Sequence, residues 1–402
     1  MRPSTGLQEP LRIVALWHEA SFFGQRILAG MYRQASFSRD VNLRHYLDVA
    51  DTFHHMCFDV VKDWQPHGVI TRISDPIILS AWRKAMPDIP FVSALVVPKG
   101  IVDTIIGMDP RNAIEIALEH FRSRGVNHFA YFFSSDPLCM EGRQTAFKAL
   151  APQGHWINFH TKHLDGIMGL HSDERDQLAF WLQSLPKPVG IICLEVLGAR
   201  NLMSFCQELG YDIPRDIQII GADDVDQALS VTPHLTTVDA PCDQIGEKAF
   251  EVLLSHIQGD EPKPASYIEV GGCQLIARGS TGLTSVGMER VATAVNLMRQ
   301  GSLKGMTAGK FVKKAKVSHT TFYKEFRENT GTTPAKQLRE TRLKKACAML
   351  VETDASVSDI AEECGFSGGN YFARFFRNTM GVTPTEYRER NQRKRHRDPS
   401  HL

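Results

Sequence analysis

The side chains best placed to do chemistry lie near the carboxyl end, in two sets fifty positions apart. Lys324 and Arg327 have counterparts in Arg374 and Arg377, and each pair is interleaved with aromatics: Phe322 and Phe326 in the first set, Phe372 and Phe376 in the second. Gly331-Thr-Thr-Pro334 and Gly381-Val-Thr-Pro384 keep the same offset. Further upstream the offset is forty-nine, pairing Val312 with Ala361, Ala315 with Cys364, Val317 with Phe366 and Ser318 with Ser367, so the second copy holds one extra residue. Repetition of this quality means two copies of one supersecondary unit. In each copy the aromatics keep the spacing of a core-facing stripe and the basic residues share another face. A basic side chain on an exposed helix face can hold a phosphate, and an Arg or Asn can read a purine edge bidentately.

The elements that must position these groups read as helix, turn, helix. In the second copy Ser356 or Ser358 can cap a helix running through Glu363, Gly365 breaks it, and Gly369–Met380 forms the next helix, ended by Gly381 with Pro384 beyond. A helix at Pro334–Val351 would set the separation of the two units. Two helices joined by a tight turn, the second basic and exposed, match helix-turn-helix recognition of duplex DNA in successive major grooves. The residues assigned to base edges are His319, Thr320 and Tyr323 in the first recognition helix and Gly369, Asn370 and Arg374 in the second; Lys324, Arg327 and Arg377 suit phosphates. Tyr323 could instead pack on its own domain, and Arg374 could be a phosphate contact alone.

Charge supports the division. The chain has 402 residues and a net charge of +1, but from residue 285 onward 22 Lys/Arg face 12 Asp/Glu, whereas the first 284 residues hold 24 against 33. A basic module attached to an acidic one suggests two jobs, one involving a polyanion. No apolar run reaches the length of a membrane helix or of a signal-peptide core, so neither a membrane protein nor a secreted one is expected. The eight cysteines form no CxxC pair and are expected as reduced thiols. No GxSxG, HExxH or GxxxxGK[ST] motif occurs, and the His and Asp residues between 160 and 174 lack metal-site spacing. No catalytic residue, metal or cofactor is assigned; a sugar-modifying enzyme is the minority alternative.

The acidic part alternates strand and helix. Short apolar strands are expected at Arg12–Trp17, His67–Thr71, Ile89–Val97, Thr104–Met108, Asn127–Ser134, Val189–Leu194, Ile217–Gly221 and Leu235–Val238, with amphipathic helices between them, including Arg111–Arg124 after an Asp109-Pro110 start. Near-continuous apolar strands between helices argue for parallel sheets covered on both faces, and the length argues for two similar lobes. Ligands of such sheets bind beyond the carboxyl ends of the strands, which makes His18 and Phe22 after the first strand and Glu195 after the Val189–Leu194 strand candidate ligand contacts.

Residues 11–280 resemble the ligand-binding core of LacI/GalR-type regulators and periplasmic sugar-binding proteins. The carrying residues are Gly125-Val-Asn127, Arg143 with Ala146-Phe147, Pro214 to Asp224, and Pro233-His-Leu-Thr-Thr237-Val. The resemblance implies that Arg143 and Asp223 reach a bound sugar, where a guanidinium fork and a carboxylate each bond adjacent hydroxyls; a surface salt bridge and a helix N-cap are the structural alternatives for the two. A second resemblance covers residues 286–390, which look like the AraC/XylS-type DNA-binding domain: Ile360-Ala361, Gly365-Phe366, Tyr371-Phe372, Arg374, Phe376-Arg377, Gly381, Thr383-Pro384 and Tyr387-Arg388 fit its signature, with Asn370 where Ser is usual. The expected fold is thus an α/β two-lobed periplasmic-binding-protein-like sensor followed by an all-α tandem helix-turn-helix domain. Its parts are an N-terminal tail (1–10), the ligand-binding domain (11–280), a linker (281–287), the DNA-binding domain (288–390) and a basic tail (391–402).

This order of domains resembles a family of sugar-operon regulators. It implies a cytoplasmic, dimeric transcriptional activator acting on promoter double-stranded DNA, with RNA polymerase as a further partner and a sugar such as D-xylose as effector. That family carries acids where this chain has Gly24 and Val196, which leaves another pentose or polar metabolite, and a repressor, as alternatives.

Overall fold

The computed structural model describes residues 9–17, 22–38, 40–47, 60–73, 75–94, 96–98, 100–133, 137–158, 172–194, 196–222, 228–259, 266–282, 286–300, 303–330, 332–380 and 382–395. Contacts divide the chain into two units, Met1–Asp109 with Pro241–Gly271 and Arg374–Thr383, and Pro110–Ala240 with Gly272–Ala373 and Pro384–Leu402.

The first unit is built on a sheet of six strands, β1 (Leu11–Trp17), β2 (Val41–Leu47), β3 (Gly68–Arg72), β4 (Phe91–Ser93), β5 (Thr104–Met108) and β11 (Ser266–Val270), in the order β11-β5-β4-β3-β1-β2. All its pairings are parallel. Its central strands are apolar throughout because helices cover both faces. Val14, Leu16, Val69, Trp82 and Phe91 form part of one such core. Helices α1 (Phe22–Ser36), α2 (Pro76–Ala85) and α7 (Cys242–Ile257) belong to this unit. Asp75 starts α2 by accepting from the amides of Ile77 and Ile78 at 2.7 and 3.2 Å, with Pro76 in the first turn. Helices α1 and α7 meet backbone to backbone: a Cβ on Gly30 would lie 2.0 Å from the Asp243 carbonyl oxygen, and one on Gly246 1.9 Å from that of Ile27. Glycine is required at both positions for this approach.

The second unit contains the other sheet, β6 (His128–Phe133), β7 (His155–Asn158), β8 (Val189–Cys193), β9 (Ile217–Ala222), β10 (Thr236–Asp239) and β12 (Gln274–Ile276), ordered β12-β10-β9-β8-β6-β7. Here β12 runs antiparallel to β10 and the remaining pairs are parallel. Helices α3 (Pro110–Ser123), α4 (Pro137–Leu150), α5 (Ser172–Ser184) and α6 (Val196–Glu208) alternate with its strands. The main core joins Phe132, Leu178, Leu182, Ile191, Leu202, Ile219 and Leu235. A buried polar chain runs beneath β10: His120 Nε2 meets Thr281 Oγ1 at 2.8 Å, which meets Thr236 Oγ1 at 2.8 Å. Burial, with the Arg124 charge beside it, holds the His120 imidazole well below its ordinary value, at about 4.

The two six-stranded, mostly parallel sheets agree with the expected class. The differences are local. Among the described residues of the expected strand Ile89–Val97, Phe91–Ser93 form the strand. The sequence reading did not include β2, β7, β11 and β12. All four are outermost in their sheets, where apolar residues alternate with polar ones, as in Val41-Asn-Leu-Arg-His-Tyr-Leu47. Asp109 does directly precede a helix that opens with Pro110.

All-α structure follows. Helix α8 (Val286–Gln300) begins within the stretch expected as a linker, and is succeeded by α9 (Ala308–Ala315), α10 (His319–Thr330), α11 (Pro334–Glu352), α12 (Val357–Glu363), α13 (Gly369–Met380) and α14 (Pro384–Arg395). Among the described residues no helix is long and apolar enough to cross a membrane.

Candidate nucleic-acid interface and effector residues

The duplicated unit is α9-turn-α10 and α12-turn-α13. In the first copy Phe311, Phe322 and Phe326 are buried in one cluster with Val291, Val295 and Met298 of α8. The turn passes through Lys316, which takes a left-handed conformation at φ +54°. Ser318 Oγ then accepts from the Thr321 amide at 3.1 Å, capping α10. In the second copy Ser356 Oγ accepts from the Asp359 amide at 3.1 Å, which settles the choice between Ser356 and Ser358 as cap of α12. Ile360, Ala361 and Cys364 are buried. Gly365, at φ +77°, takes the place that Lys316 holds in the first turn. The Gly368 carbonyl accepts from the Phe372 amide at 3.0 Å as the Ser318 carbonyl does from Phe322 at 2.9 Å, so by this bond Gly368 is the counterpart of Ser318 and the extra residue falls just before it.

With the aromatics turned inward, the two recognition helices present the expected faces. On α10, His319, Thr320, Lys324 and Arg327 are exposed, and the Lys324 side chain is 74% exposed. Tyr323 is half-buried against the domain core and stacks on His319 with ring centroids 4.0 Å apart. Packing therefore claims part of Tyr323, the structural alternative weighed for it, while its stack fixes the His319 ring at the start of the helix. On α13, Asn370, Arg374 and Arg377 are exposed and Gly369 is half-buried at the first turn. Tyr371, which the sequence reading did not assign, is an exposed aromatic beside Asn370 and Arg374, with its ring 6.4 Å from that of Phe366.

The two helices differ in charge. Helix α10 carries Glu325 and Glu328 as well as its two bases, whereas α13 has Arg374 and Arg377 and no acid. Lys324 pairs with Glu328 at 3.8 Å, and Glu325 Oε2 accepts from Arg290 Nε of α8 at 3.2 Å, with a second, shorter contact between Oε1 and Nη2. The carboxylate lies over Gly287, where a Cβ would stand 2.6 Å from Glu325 Cδ.

Among the expected effector residues, Arg143 is half-buried on α4 and its Nη1 donates to the Leu194 carbonyl at 3.0 Å, so the guanidinium stands at the carboxyl end of β8. Among the described residues this hydrogen bond to the main chain is the contact it makes. His18, Glu195 and Asp223, and the Phe22 side chain, lie outside the described residues; His18 and Asp223 directly follow β1 and β9, and Glu195 follows β8 by two. Gly24 is buried, and its carbonyl accepts from Trp17 Nε1 at 3.2 Å. Burial pushes the thiols of Cys206 and Cys347 up to about 12 and that of Cys364 to about 11.

Comparison with known proteins agrees with this division. Residues 118–281 match the periplasmic binding protein-like domain and residues 311–390 a helix-turn-helix domain. The chain is a DNA-binding transcriptional regulator: a periplasmic-binding-protein-like α/β sensor joined to a tandem helix-turn-helix module of the AraC type. Among particular proteins, it is 27% identical over 390 residues to the xylose operon regulatory protein of Escherichia coli (strain K12), covering 94% of this chain and 97% of that one. It is 24% identical over 288 residues to the protein of the same name from Haemophilus influenzae, covering 70% and 74%. The structure of the xylose-binding transcription activator xylR matches 96% of this chain and 99% of its own, at a TM-score of 0.52 and 23% identity. These relatives are regulators by name, not enzymes.

Proposed function

We propose that the chain is a cytoplasmic homodimeric regulator that binds promoter DNA through α10 and α13 and alters that binding when a pentose-sized sugar occupies its sensor. The sensor is assigned to residues 11–280, the linker to 281–287 and the DNA-binding domain to 288–390, with tails at 1–10 and 391–402. The observation that carries the reading is the pair of helices on buried aromatic stripes that expose Lys324, Arg327, Arg374 and Arg377, in a chain whose α/β part has Arg143 of α4 hydrogen-bonded at the end of β8 and, by sequence position, Asp223 and Glu195 after β9 and β8. His319, Thr320, Asn370 and Arg374 are proposed to read bases, with Gly369 letting the backbone approach and Tyr323 steadying His319. Lys324, Arg327 and Arg377 hold phosphates. Arg143, Asp223, Glu195, His18 and Phe22 are proposed to contact the sugar, and RNA polymerase is the partner that an activator would recruit.

D-Xylose is the first effector to test, since the relatives carry that sugar in their names. Gly24 and Val196, which stand where acids are usual in this architecture, favour a second reading in which another pentose is the effector. The test is a selection of duplexes from a randomised pool by the full-length protein, followed by footprinting with D-xylose, D-ribose and L-arabinose. A selected duplex whose protection changes with one sugar supports the reading. No preference over scrambled DNA removes it, and a preference insensitive to every sugar removes its sensor half.

A further inference from the structure

Arg278 lies two residues beyond β12 and is completely buried. Its Nη1 donates to the Leu235 carbonyl and to Thr237 Oγ1, each at 2.7 Å, around the start of β10. Its Nε donates to the Asn329 carbonyl at 2.9 Å. Asn329 is the penultimate residue of α10, so this carbonyl is one of the four at a helix carboxyl end without an intrahelical donor, and it stands at the negative end of the helix dipole. A cation rooted in the sensor sheet thus caps the first recognition helix. A guanidinium is placed so deep only when oxygens compensate its lost hydration, which makes this geometry exacting.

A second contact ties the same parts. Ala228 belongs to the core of the sensor sheet with Ile219 and Leu235, whereas the adjacent Leu229 belongs to the cluster of Phe311, Phe322 and Phe326. Two consecutive residues therefore sit in two different cores. Leu229 follows Asp223, the proposed sugar contact, by six positions.

We infer that Arg278, together with Leu229, is the positioning residue that makes α10 a mechanical extension of the sensor sheet, so that the effector's influence on DNA enters through the first recognition helix. This rests on the DNA-binding reading above. Coupling between sites is reciprocal, so DNA held by α10 must be felt in turn by β10 and β12.

The test is hydrogen exchange on the full-length protein with and without the duplex selected above. Amides of residues 236–239 and 274–276 are expected to exchange about fivefold more slowly with duplex bound, while those of residues 104–108 in the other sheet do not change. Arg278→Gln removes the slowing. Thr237→Val, which takes one oxygen from the guanidinium and leaves the strand in place, reduces it. A purely structural Arg278 would speed exchange equally with and without duplex. Duplex binding that leaves residues 236–239 and 274–276 unchanged in the unaltered protein, or slowing that persists in both variants, overturns the inference alone; failure to select any duplex takes the DNA reading down with it.

Discussion

The two helix-turn-helix units arise from one pattern and have been put to different uses. The first is embedded: Glu325 is held by Arg290 of α8, the Asn329 carbonyl by Arg278, and the aromatic stripe by Leu229 and α8. The turn of the second is fastened to the residues just before α9, since a Cβ on Gly365 would lie 2.0 Å from the Leu303 carbonyl oxygen, and Lys304 pairs with Glu362 at 2.6 Å. Acids on α10 offset its bases, whereas α13 keeps its positive charge unopposed along the helix. The two copies thus share the stripe that makes the unit fold and differ in the rest of the surface, the first in its anchoring contacts and the second in its unopposed positive charge.

The turns give the sharpest contrast. Gly365→Ala adds a Cβ at a left-handed φ and against a backbone carbonyl, and is expected to cost about 3 kcal/mol or more, read as a lowered denaturation midpoint. Next in size is DNA affinity. Arg374→Ala is expected to weaken binding roughly tenfold to hundredfold, with loss concentrated at one base pair if Arg374 reads an edge. If Lys324 holds a phosphate as proposed, Lys324→Ala should weaken all sequences alike and flatten the salt dependence by about one unit. Equal effects of the two substitutions would erase the proposed division of labour.

Glu325→Gln leaves Arg290 without its carboxylate in a partly buried pair and is expected to cost about 1–2 kcal/mol, measured by thermal unfolding. A neutral outcome would mean that the Arg290–Glu325 pair adds nothing to the apolar anchoring of α10 on α8. The pH dependence is gentler. His120 has a folded-state value near 4, below its ordinary 6.5, so between those limits the unfolded chain binds more protons and stability rises with pH. His120→Gln should flatten that slope and spare stability above pH 7. The smallest effect is expected for Lys316→Gly: relief of the left-handed strain is offset by added freedom of the unfolded chain, leaving a change below about 1 kcal/mol. A large gain there would show that the two turns differ more than their shared geometry implies.

Much of this was legible in the sequence because two strong signals repeat. Apolar runs such as Val189–Cys193 declare central strands, and the fifty-residue echo of Phe322 and Phe326 declares the recognition helices. The outermost strands were not legible, since β2 and β11 mix polar with apolar residues and lack the continuous apolar run of the central strands. Arg278 was also invisible. Nothing in Leu275-Ile-Ala-Arg278-Gly distinguishes a buried cap from an ordinary surface base, because its meaning depends on a carbonyl fifty-one residues away. Tyr323 shows the same limit from the other side, its identity suiting both base contact and the packing and stacking that the structure reveals.

The buried thiols carry a consequence for the cell's chemistry. Burial raises Cys206 and Cys347 to about 12 and Cys364 to about 11, which leaves little nucleophilic thiolate at these three positions near neutrality. Peroxide and electrophiles find almost no foothold at these three positions, Cys364 at the elbow of the second unit included.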